Sequence, residues 1–357
     1  MEAIAGALDI SLDDLLRANS SFRPSGGGCT SFALASDMTA TGAPILHKNR
    51  DFRVEPQIVY FKRVEGFKRF LGSASVWDVG TAHFLNESGL AGACNTGSKV
   101  KDATGGGLTD RHLLRLVAES ASSCEDAISI VEWATREGLV GTEGGAGFIL
   151  LFADPREVAV VELSGRKVAW RRLKEGFVVR SNHFVLPEMA EVVASEPGED
   201  SRRRLAATQA EIAPGGPPWE ARRAFSVARR PEICKASTVS AFTHVLSARF
   251  PEVLSLAWVA LGPPLLSSFV PVPICSSGVP REWASGEAWT SPKPLERPKR
   301  SPKKASALEE AEESLSKEVE RALSEAEERL RAGRRDLALD SLSGRLAEWA
   351  KGRKTTK

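Results

Sequence analysis

Long hydrophobic runs are absent from this 357-residue sequence. No stretch approaches the roughly 18 consecutive apolar residues that a membrane-spanning helix needs. The N-terminal stretch MEAIAGALDISLDDLL carries acidic residues where a signal peptide would carry basic ones. The sequence therefore predicts a cytoplasmic protein without a membrane partner.

An excess of charge of one sign is also missing. The 48 Lys and Arg residues nearly balance the 46 Asp and Glu residues, which gives a formal net charge of +2. A protein without a strong positive field has little to hold a polyanion at physiological salt. We therefore expect no nucleic-acid partner.

Cysteine and histidine are scarce and scattered. The cysteines are odd in number and form no C-x-x-C pair; they are Cys29, Cys94, Cys124, Cys234 and Cys275. The five histidines show neither H-x3-H nor H-E-x-x-H spacing. These patterns predict no disulfide framework, no metal and no cofactor.

The hydrophobic patterning predicts an α+β protein with layered elements. Short strand-like segments fill residues 29–100, and apolar residues at helical spacing then predict two packed helices within 109–138. Strand segments resume from about 146, followed by a helix near 199–212 and then by the segment TVSAFTHVLSARF, which leads to the apolar run VLSLAWVALG. This order is not the strict alternation of a parallel βαβ fold.

Composition shifts divide the chain into four parts. A helical segment is broken by Pro24 and three glycines, so residues 1–28 form a leading segment and 29–272 the main domain. Residues 273–304 form a Pro-rich basic linker, and 305–357 a charged helical tail that Gly333 splits in two. The narrow apolar stripe of the tail predicts a helical hairpin docked on the body or on a second subunit, which allows a homodimer.

Cys29 is placed where a cysteine can attack the peptide bond that precedes it. It opens a strand segment directly after Gly26, Gly27 and Gly28, which permit the backbone geometry that such an attack requires. Cleavage would leave Cys29 at a new N-terminus, where its α-amine could serve as the base for its own thiol. Taken alone, a cysteine at a strand start is more often a small buried hydrophobe, so its surroundings must decide.

Five motifs in order resemble one family. They are G-C-T-S-F at Cys29, N-x-D-F ending at Phe52, N-E-S-G-L from Asn86, S-N-H-F from Ser181 and S-x-x-R from Ser201. This arrangement resembles the acyl-coenzyme A:6-aminopenicillanate acyltransferase family of N-terminal-nucleophile hydrolases, which is related to the choloylglycine hydrolases. The resemblance runs from about Glu2 to Val272.

The resemblance implies a four-layer αββα sandwich and a set of site residues. Cys29 would be the nucleophile, freed by cleavage of the Gly28–Cys29 bond, and Asp51 would orient its α-amine. Asn182 would supply the side-chain amide of an oxyanion hole, and the backbone near Asn95 would supply the second donor. Arg204 would add positive charge near the nucleophile.

The implied activity is hydrolysis of a linear amide C–N bond, or transfer of its acyl group, through a thioester on Cys29. The substrate would be a small-molecule amide or acyl-amine, with acyl-coenzyme A as a further candidate donor. Lys48, Phe52 and Phe84 are candidate substrate-binding residues. Lys48 stands where choloylglycine hydrolases carry Arg, which disfavours bile salts as substrates because Lys cannot replace a bidentate guanidinium.

Several alternatives stay open at this point. An enzyme of the same fold could act as a thiol-dependent peptidase or aminoacyl hydrolase, and a non-catalytic scaffold could bind a partner through the helical tail. His183 could pair with Cys29 as in papain-like proteases, although the signature of that family around the cysteine is absent. Glu162 is interpreted as a strand-edge charge. The sequence does not identify the acyl group, the amine or the acceptor.

Overall fold

Two antiparallel sheets form the centre of the protein, as seen in a computed structural model. The structure describes residues 2, 5–6, 9–20, 28–76, 78–142, 144–212, 218–290 and 302–351. The sheets comprise 13 strands, namely β1 Thr30–Leu34, β2 Ile45–Asp51, β3 Gln57–Lys62, β4 Phe70–Ser75, β5 His83–Asn86, β6 Ala91–Lys99, β7 Ala146–Asp154, β8 Glu157–Leu163, β9 Val168–Leu173, β10 Phe177–Arg180, β11 Thr238–Val245, β12 Leu256–Leu261 and β13 Val270–Pro273.

Helices precede, separate and follow the strands. They are α1 Leu12–Ser20, α2 Asp110–Ser120, α3 Cys124–Arg136, α4 Glu199–Ile212, α5 Ala221–Ala228, α6 Pro251–Leu254, α7 Arg281–Ala284, α8 Pro302–Arg331, α9 Arg335–Ser343 and α10 Leu346–Lys351. Short 3₁₀ turns lie at Ser36–Met38 and Pro187–Val192. No helix in the described part of the chain is both long and apolar enough to cross a membrane.

The strands divide into a six-stranded sheet of order β10-β1-β2-β11-β12-β13 and a seven-stranded sheet of order β3-β4-β5-β6-β7-β8-β9. Their inner faces pack together around one large apolar cluster. Helices α2 and α3 cover the outer face of the seven-stranded sheet, and α4 and α5 cover that of the other. The result is the expected αββα sandwich, because each sheet buries both faces.

The structure confirms the two helices expected within 109–138. Helix α2 begins with a capping box between Thr109 and His112, and Ser123 caps α3 by accepting from the Asp126 backbone N–H at 3.1 Å. Each such cap stabilises its helix by about 1 kcal/mol. The sequence prediction missed strand β4 and helix α5, which are short, at six and eight residues.

The tail docks its apolar stripe against the body of the same chain. Val319, Ala322, Ala326 and Leu330 on α8 are buried, and the charged residues between them face outward. Gly333 adopts a φ of +73° directly after α8, so the expected break in the tail helix is confirmed. Helices α8 and α9 form the expected hairpin.

Two tryptophans hold residues 273–290 against the body. Trp283 on α7 is buried, and the indole Nε1 of Trp289 donates to the Val239 carbonyl at 2.9 Å. Their large apolar area explains why this part of the predicted linker packs on the domain. Residues 291–301 of that linker lie outside the described residues.

The leading segment contacts the body through α1. The Asn19 side-chain oxygen accepts from the Val79 backbone N–H at 2.9 Å, and Leu15 is buried. Helix α1 thus lies against the loop between β4 and β5. Residues 21–27, which contain Pro24 and two of the three glycines, are outside the described residues.

Candidate active site

Cys29 lies immediately before β1, a strand flanked on both sides within its sheet. Its side chain is buried, and its Sγ atom lies 3.7 Å from the backbone oxygen of Asp51. The preceding Gly28 is tightly enclosed, since a Cβ built there would collide with the guanidinium of Arg204. The Gly28–Cys29 bond is therefore held against a buried cation.

Arg204 on α4 connects most of the predicted site. Its guanidinium donates to the Cys29 carbonyl, to Thr30 Oγ1 at 3.1 Å and to Asn182 Oδ1 at 2.8 Å. Its Nε donates to Asp200 at 2.9 Å. With a relative exposure of only 1%, Arg204 is a buried cation whose hydrogen-bonding groups are largely committed.

Asn182 is held in one orientation from both ends of its amide. Its Oδ1 accepts from Arg204, and its Nδ2 donates to the Thr96 carbonyl at 2.8 Å. Its backbone N–H donates to Ser201 Oγ at 2.9 Å. An amide fixed in this way is preorganised, which is what an oxyanion donor requires.

Asp51 ends β2 beside Cys29 and is fully buried. Its Oδ1 accepts from the Thr238 hydroxyl at 2.6 Å, whereas its Oδ2 has no hydrogen-bond donor among the described residues. Burial raises the pKa of Asp51 to about 6, and the Thr238 hydrogen bond and the nearby Lys235 and Arg204 charges oppose that rise. Asp51 thus changes charge near neutral pH.

Lys235 and Asp200 extend the charged network, and the sequence analysis missed both. The Lys235 ammonium lies 2.5 Å from Asp200 Oδ2 and 4.0 Å from Asp51 Oδ2. Burial would raise the pKa of Asp200, but the Lys235 and Arg204 hydrogen bonds outweigh burial and lower it to about 2. Asp200 directly precedes the S-x-x-R motif, so its position in the sequence could have indicated a role in the site. No motif lies near Lys235 to indicate one.

The Asn95 side chain connects the two sheets, and the expected backbone donor lies close to it. Its side chain accepts from Ser31 at 2.7 Å and donates to the Ser181 carbonyl at 3.0 Å, which joins the two sheets. The backbone N–H of Cys94 donates to the Ala82 carbonyl, on the β5 side of β6. Because successive backbone N–H groups of a strand point to opposite sides, the N–H of Asn95 points toward β7. The N–H of Thr96 points back to the first side, where Asn182 lies. Thr96 is therefore the better candidate for the backbone donor.

The candidate substrate-binding residues separate into two groups. Lys48 is buried on the inner face of β2 and donates to the Cys94 carbonyl, and Phe52 lies with its ring 4.5 Å from the Arg50 guanidinium. Lys48 is opposite Ser31, two residues after Cys29, and Phe52 directly follows Asp51 at the end of β2. Phe84 lies instead in the apolar cluster beneath α2 and α3, so the structure does not bring it to Cys29.

The two remaining polar candidates have structural partners. His183 Nδ1 lies 2.7 Å from Ser201 Oγ, and burial lowers its pKa. Glu162 is wholly buried on an interior strand, where it pairs with Arg180 Nε at 2.6 Å and accepts from two backbone N–H groups. The interpretation of Glu162 as a strand-edge charge was wrong, since β8 lies between β7 and β9.

One group of potential metal ligands occurs among the described residues, on the outer side of the seven-stranded sheet. It comprises Cys124, Asp154 and Glu157. Asp154 accepts from the backbone N–H groups of Cys124 and Glu157, and Glu157 accepts from Arg172 at 2.9 Å. Because these carboxylates already serve protein donors, the group is satisfied without an ion.

Comparisons with known proteins give a family and several similar folds. Solved structures that resemble the chain include the Caenorhabditis elegans ortholog of N-acylethanolamine-hydrolyzing acid amidase, at 13% identity and a TM-score of 0.43, covering 61% of this chain and 92% of the other. They also include a mutant of conjugated bile acid hydrolase from Clostridium perfringens, at 13% identity and a TM-score of 0.45, covering 69% and 92%. A comparison with curated proteins finds no match.

The family match covers four of the five motifs. The model of acyl-coenzyme A:6-aminopenicillanic acid acyl-transferase matches residues 38–262. That range begins after Cys29 and contains Asp51, Asn95, Asn182 and Arg204. The resemblance drawn from the motifs is thereby confirmed, and the chain belongs to the acyl-coenzyme A:6-aminopenicillanic acid acyl-transferase family.

Proposed function

We propose that this chain is a self-processing cysteine enzyme that hydrolyses a linear amide C–N bond, or transfers its acyl group, through a thioester on Cys29. One observation carries the proposal. Cys29, Asp51, Asn182 and Arg204 come from four separate segments of the chain and meet around the Gly28–Cys29 bond.

Self-processing would begin with attack of the Cys29 sulfur on the Gly28 carbonyl carbon. A C–S bond forms, the Gly28–Cys29 C–N bond breaks, and the thiol proton ends on the departing nitrogen. Water then hydrolyses the thioester, which leaves a carboxylate on Gly28 and a free α-amine on Cys29. The absence of a Cβ at Gly28 lets the bond approach Arg204 closely.

The freed α-amine would take over the role of base in turnover. It accepts the thiol proton as Sγ attacks the substrate carbonyl, and it returns that proton to the departing amine. Asn182, with the backbone near Asn95 and Thr96, would stabilise the tetrahedral oxyanion. The unpartnered Oδ2 of Asp51 is a buried acceptor available to the new ammonium.

The acyl-enzyme would be resolved by water or by an amine acceptor. A small-molecule amide is the proposed acyl donor, and an acyl-coenzyme A thioester would deliver the same acyl-enzyme intermediate. In both cases the acyl group stays on Cys29 while the first leaving group departs. The acyl half of the substrate is therefore the part that remains attached to Cys29 after the first step.

The test is the intact mass and the N-terminal sequence of the purified protein. We expect a chain that begins at Cys29 in the wild type and an unprocessed chain in Cys29→Ala. Release of amine from a panel of acyl amides should occur only in the wild type. Equal turnover in Cys29→Ala, or an unprocessed wild type that also acts on no amide, would overturn the proposal.

A further inference from the structure

Two cations on the inner face of β2 reach across the interior of the sandwich. Lys48 donates to the Cys94 carbonyl on β6, and Arg50 donates to Gln57 Oε1 on β3 and to Ser75 Oγ on β4 at 3.5 Å. Both residues have a relative exposure of only 2%. Their partners are neutral.

Neither cation has a carboxylate within 4.0 Å among the described residues, unlike the neighbouring Arg111, which pairs with Asp78. Burying an ionised group without a counter-ion is costly, because its hydration is lost. Burial and the Arg111 charge lower the pKa of Arg50, and the charge of the nearby Asp78 carboxylate only partly opposes them. An anion beside Arg50 would relieve this cost.

Further polar groups without partners lie around these two residues. Across the strands, Arg50 is opposite Ser240 and Lys48 is opposite Phe242, whose ring stacks on His83 with the ring centroids 4.3 Å apart. Ser240 Oγ and both ring nitrogens of His83 are buried and lack a hydrogen-bond partner among the described residues. Native proteins rarely leave such atoms unsatisfied.

The histidine contributes a donor without a charge. Burial lowers the pKa of His83 well below its ordinary value, and the Lys48 charge lowers it further. The ring is therefore neutral at physiological pH and offers one N–H donor and one acceptor. Together with the Ser240 hydroxyl, it adds uncharged donors beside the two cations.

This polar interior adjoins the nucleophile. In the antiparallel pairing of β1 with β2, Ser31 is opposite Lys48 and Thr30 is opposite Asn49. The next pair in this register is Cys29 and Arg50, so Arg50 lies beside Cys29. A group attached to Sγ could therefore reach these donors.

We propose that Arg50, Lys48, Ser240 and His83 form an anion-binding subsite for the acyl half of the substrate. The acyl group carries a carboxylate, so the acyl donor is a half-amide of a dicarboxylic acid. The assignment to the acyl half rests on the proposed function, in which that half stays on Cys29 inside the protein while the amine leaves. The subsite itself does not depend on catalysis.

A pair of thiol reagents tests the subsite without a known substrate. Iodoacetate and iodoacetamide both alkylate thiolates, but only iodoacetate carries a carboxylate. The rate of alkylation of Cys29 by each reagent is measured by peptide mass, and the iodoacetate-to-iodoacetamide rate ratio is divided by the same ratio for glutathione. We expect this normalised ratio to be about ten. Any change in the thiolate fraction of Cys29 cancels in this ratio.

Three variants connect the ratio to Arg50. Arg50→Gln should lower the normalised ratio about tenfold, and Ser240→Asp should do the same by placing a carboxylate opposite Arg50. Arg136→Gln, which removes an exposed arginine on α3, should leave it unchanged. A wild-type ratio at or below one, or equal ratios in folded Arg50→Gln and wild type, would overturn the subsite.

Matched anilides then identify the half of the substrate that carries the carboxylate. Succinic acid mono-anilide has it in the acyl half, and N-butyryl-4-aminobenzoate has it in the amine half. We expect kcat/KM for the first to exceed that of its carboxamide analogue and to lose this advantage in Arg50→Gln. A carboxylate preference confined to the second compound would overturn the acyl assignment.

The two experiments also separate failure of the proposed function from failure of the subsite. Wild-type protein that acts on no amide but is still alkylated faster by iodoacetate would refute the proposed function, while the subsite would stand.

Discussion

The ammonium nitrogen of Lys235 lies 4.0 Å from Oδ2 of Asp51, the carboxylate oxygen without a hydrogen-bond donor among the described residues. Lys235 also binds Asp200, which in turn binds Arg204. A chain of alternating charges thus connects the carboxylate beside Cys29 with the guanidinium that holds the Cys29 carbonyl and Asn182. The protonation of Asp51 is therefore set partly by residues outside the sequence motifs.

Replacing Lys235 should shift the pH dependence of the enzyme. The pKa of Asp51 is about 6, and the Lys235 charge lowers it. If the ionised Asp51 orients the α-amine, activity falls as the pH drops through this value. Lys235→Met should raise the pKa of Asp51 and so move this fall in activity to higher pH, by about one pH unit. This is the low end of the pKa shift that a neighbouring charge produces, because Lys235 is partly exposed.

The measurement is kcat/KM against pH for wild type, Lys235→Met and Lys235→Arg. Lys235→Arg keeps the charge and should restore the wild-type profile. Lys317→Met removes an exposed lysine on α8 and serves as the control. An unchanged acid limb in Lys235→Met would show that Lys235 does not act on Asp51.

A methyl group at Gly28 should slow self-processing. In Gly28→Ala the added Cβ meets the Arg204 guanidinium, so either the scissile bond or Arg204 must move. Because a small misplacement of reacting groups lowers a reaction rate strongly, we expect cleavage to slow by about a hundredfold. The measurement is the fraction of cleaved chain, followed over time by mass spectrometry. Gly278→Ala is the matched control, since a Cβ there meets nothing within 4 Å. Equal processing rates in the two variants would contradict the prediction.

Asn182 and Asn95 should respond differently to truncation. Asn182→Ala removes the proposed oxyanion donor and should lower kcat by about 10²- to 10³-fold. Asn95→Ala removes the hydrogen bonds to Ser31 and Ser181 and should chiefly lower the free energy of unfolding, by about 1 to 3 kcal/mol. Stopped assays and urea titrations of both variants separate the two effects. A larger kcat loss in folded Asn95→Ala than in Asn182→Ala would reverse the assignment.

The sequence predicts the nucleophile region better than its supports. Motif order led to the prediction of Cys29, Asp51, Asn182 and Arg204 as site residues, and these four lie close together in the structure. Lys235 lies just before β11 and Thr238 is the first residue of that strand, and nothing in the local pattern distinguishes them from surface residues. Their role depends on the pairing of β11 with β2, which is a property of the tertiary fold.

Strand β2 shows why the inner cations were not predicted as a pair. Its polar run His47 to Asp51 is typical of a solvated strand, yet all seven residues of β2 are buried. Alternation sends Lys48 and Arg50 to one face and Asn49 and Asp51 to the other. Two polar faces on one central strand violate the usual pattern, and such departures are expected at functional sites.

The tail should contribute to folding through one buried ion pair. Glu312 on α8 accepts two hydrogen bonds from Arg229, at 2.6 and 2.8 Å, and one from the Phe269 backbone N–H at 2.9 Å. Glu312→Ala leaves a buried guanidinium without its counter-ion and should cost about 3 to 5 kcal/mol of unfolding free energy. Glu313→Ala, one residue away, removes only partly exposed ion pairs with Arg222 and Lys317 and should shift the urea midpoint much less. Equal midpoints for the two variants would mean that α8 contributes little to the stability of the domain.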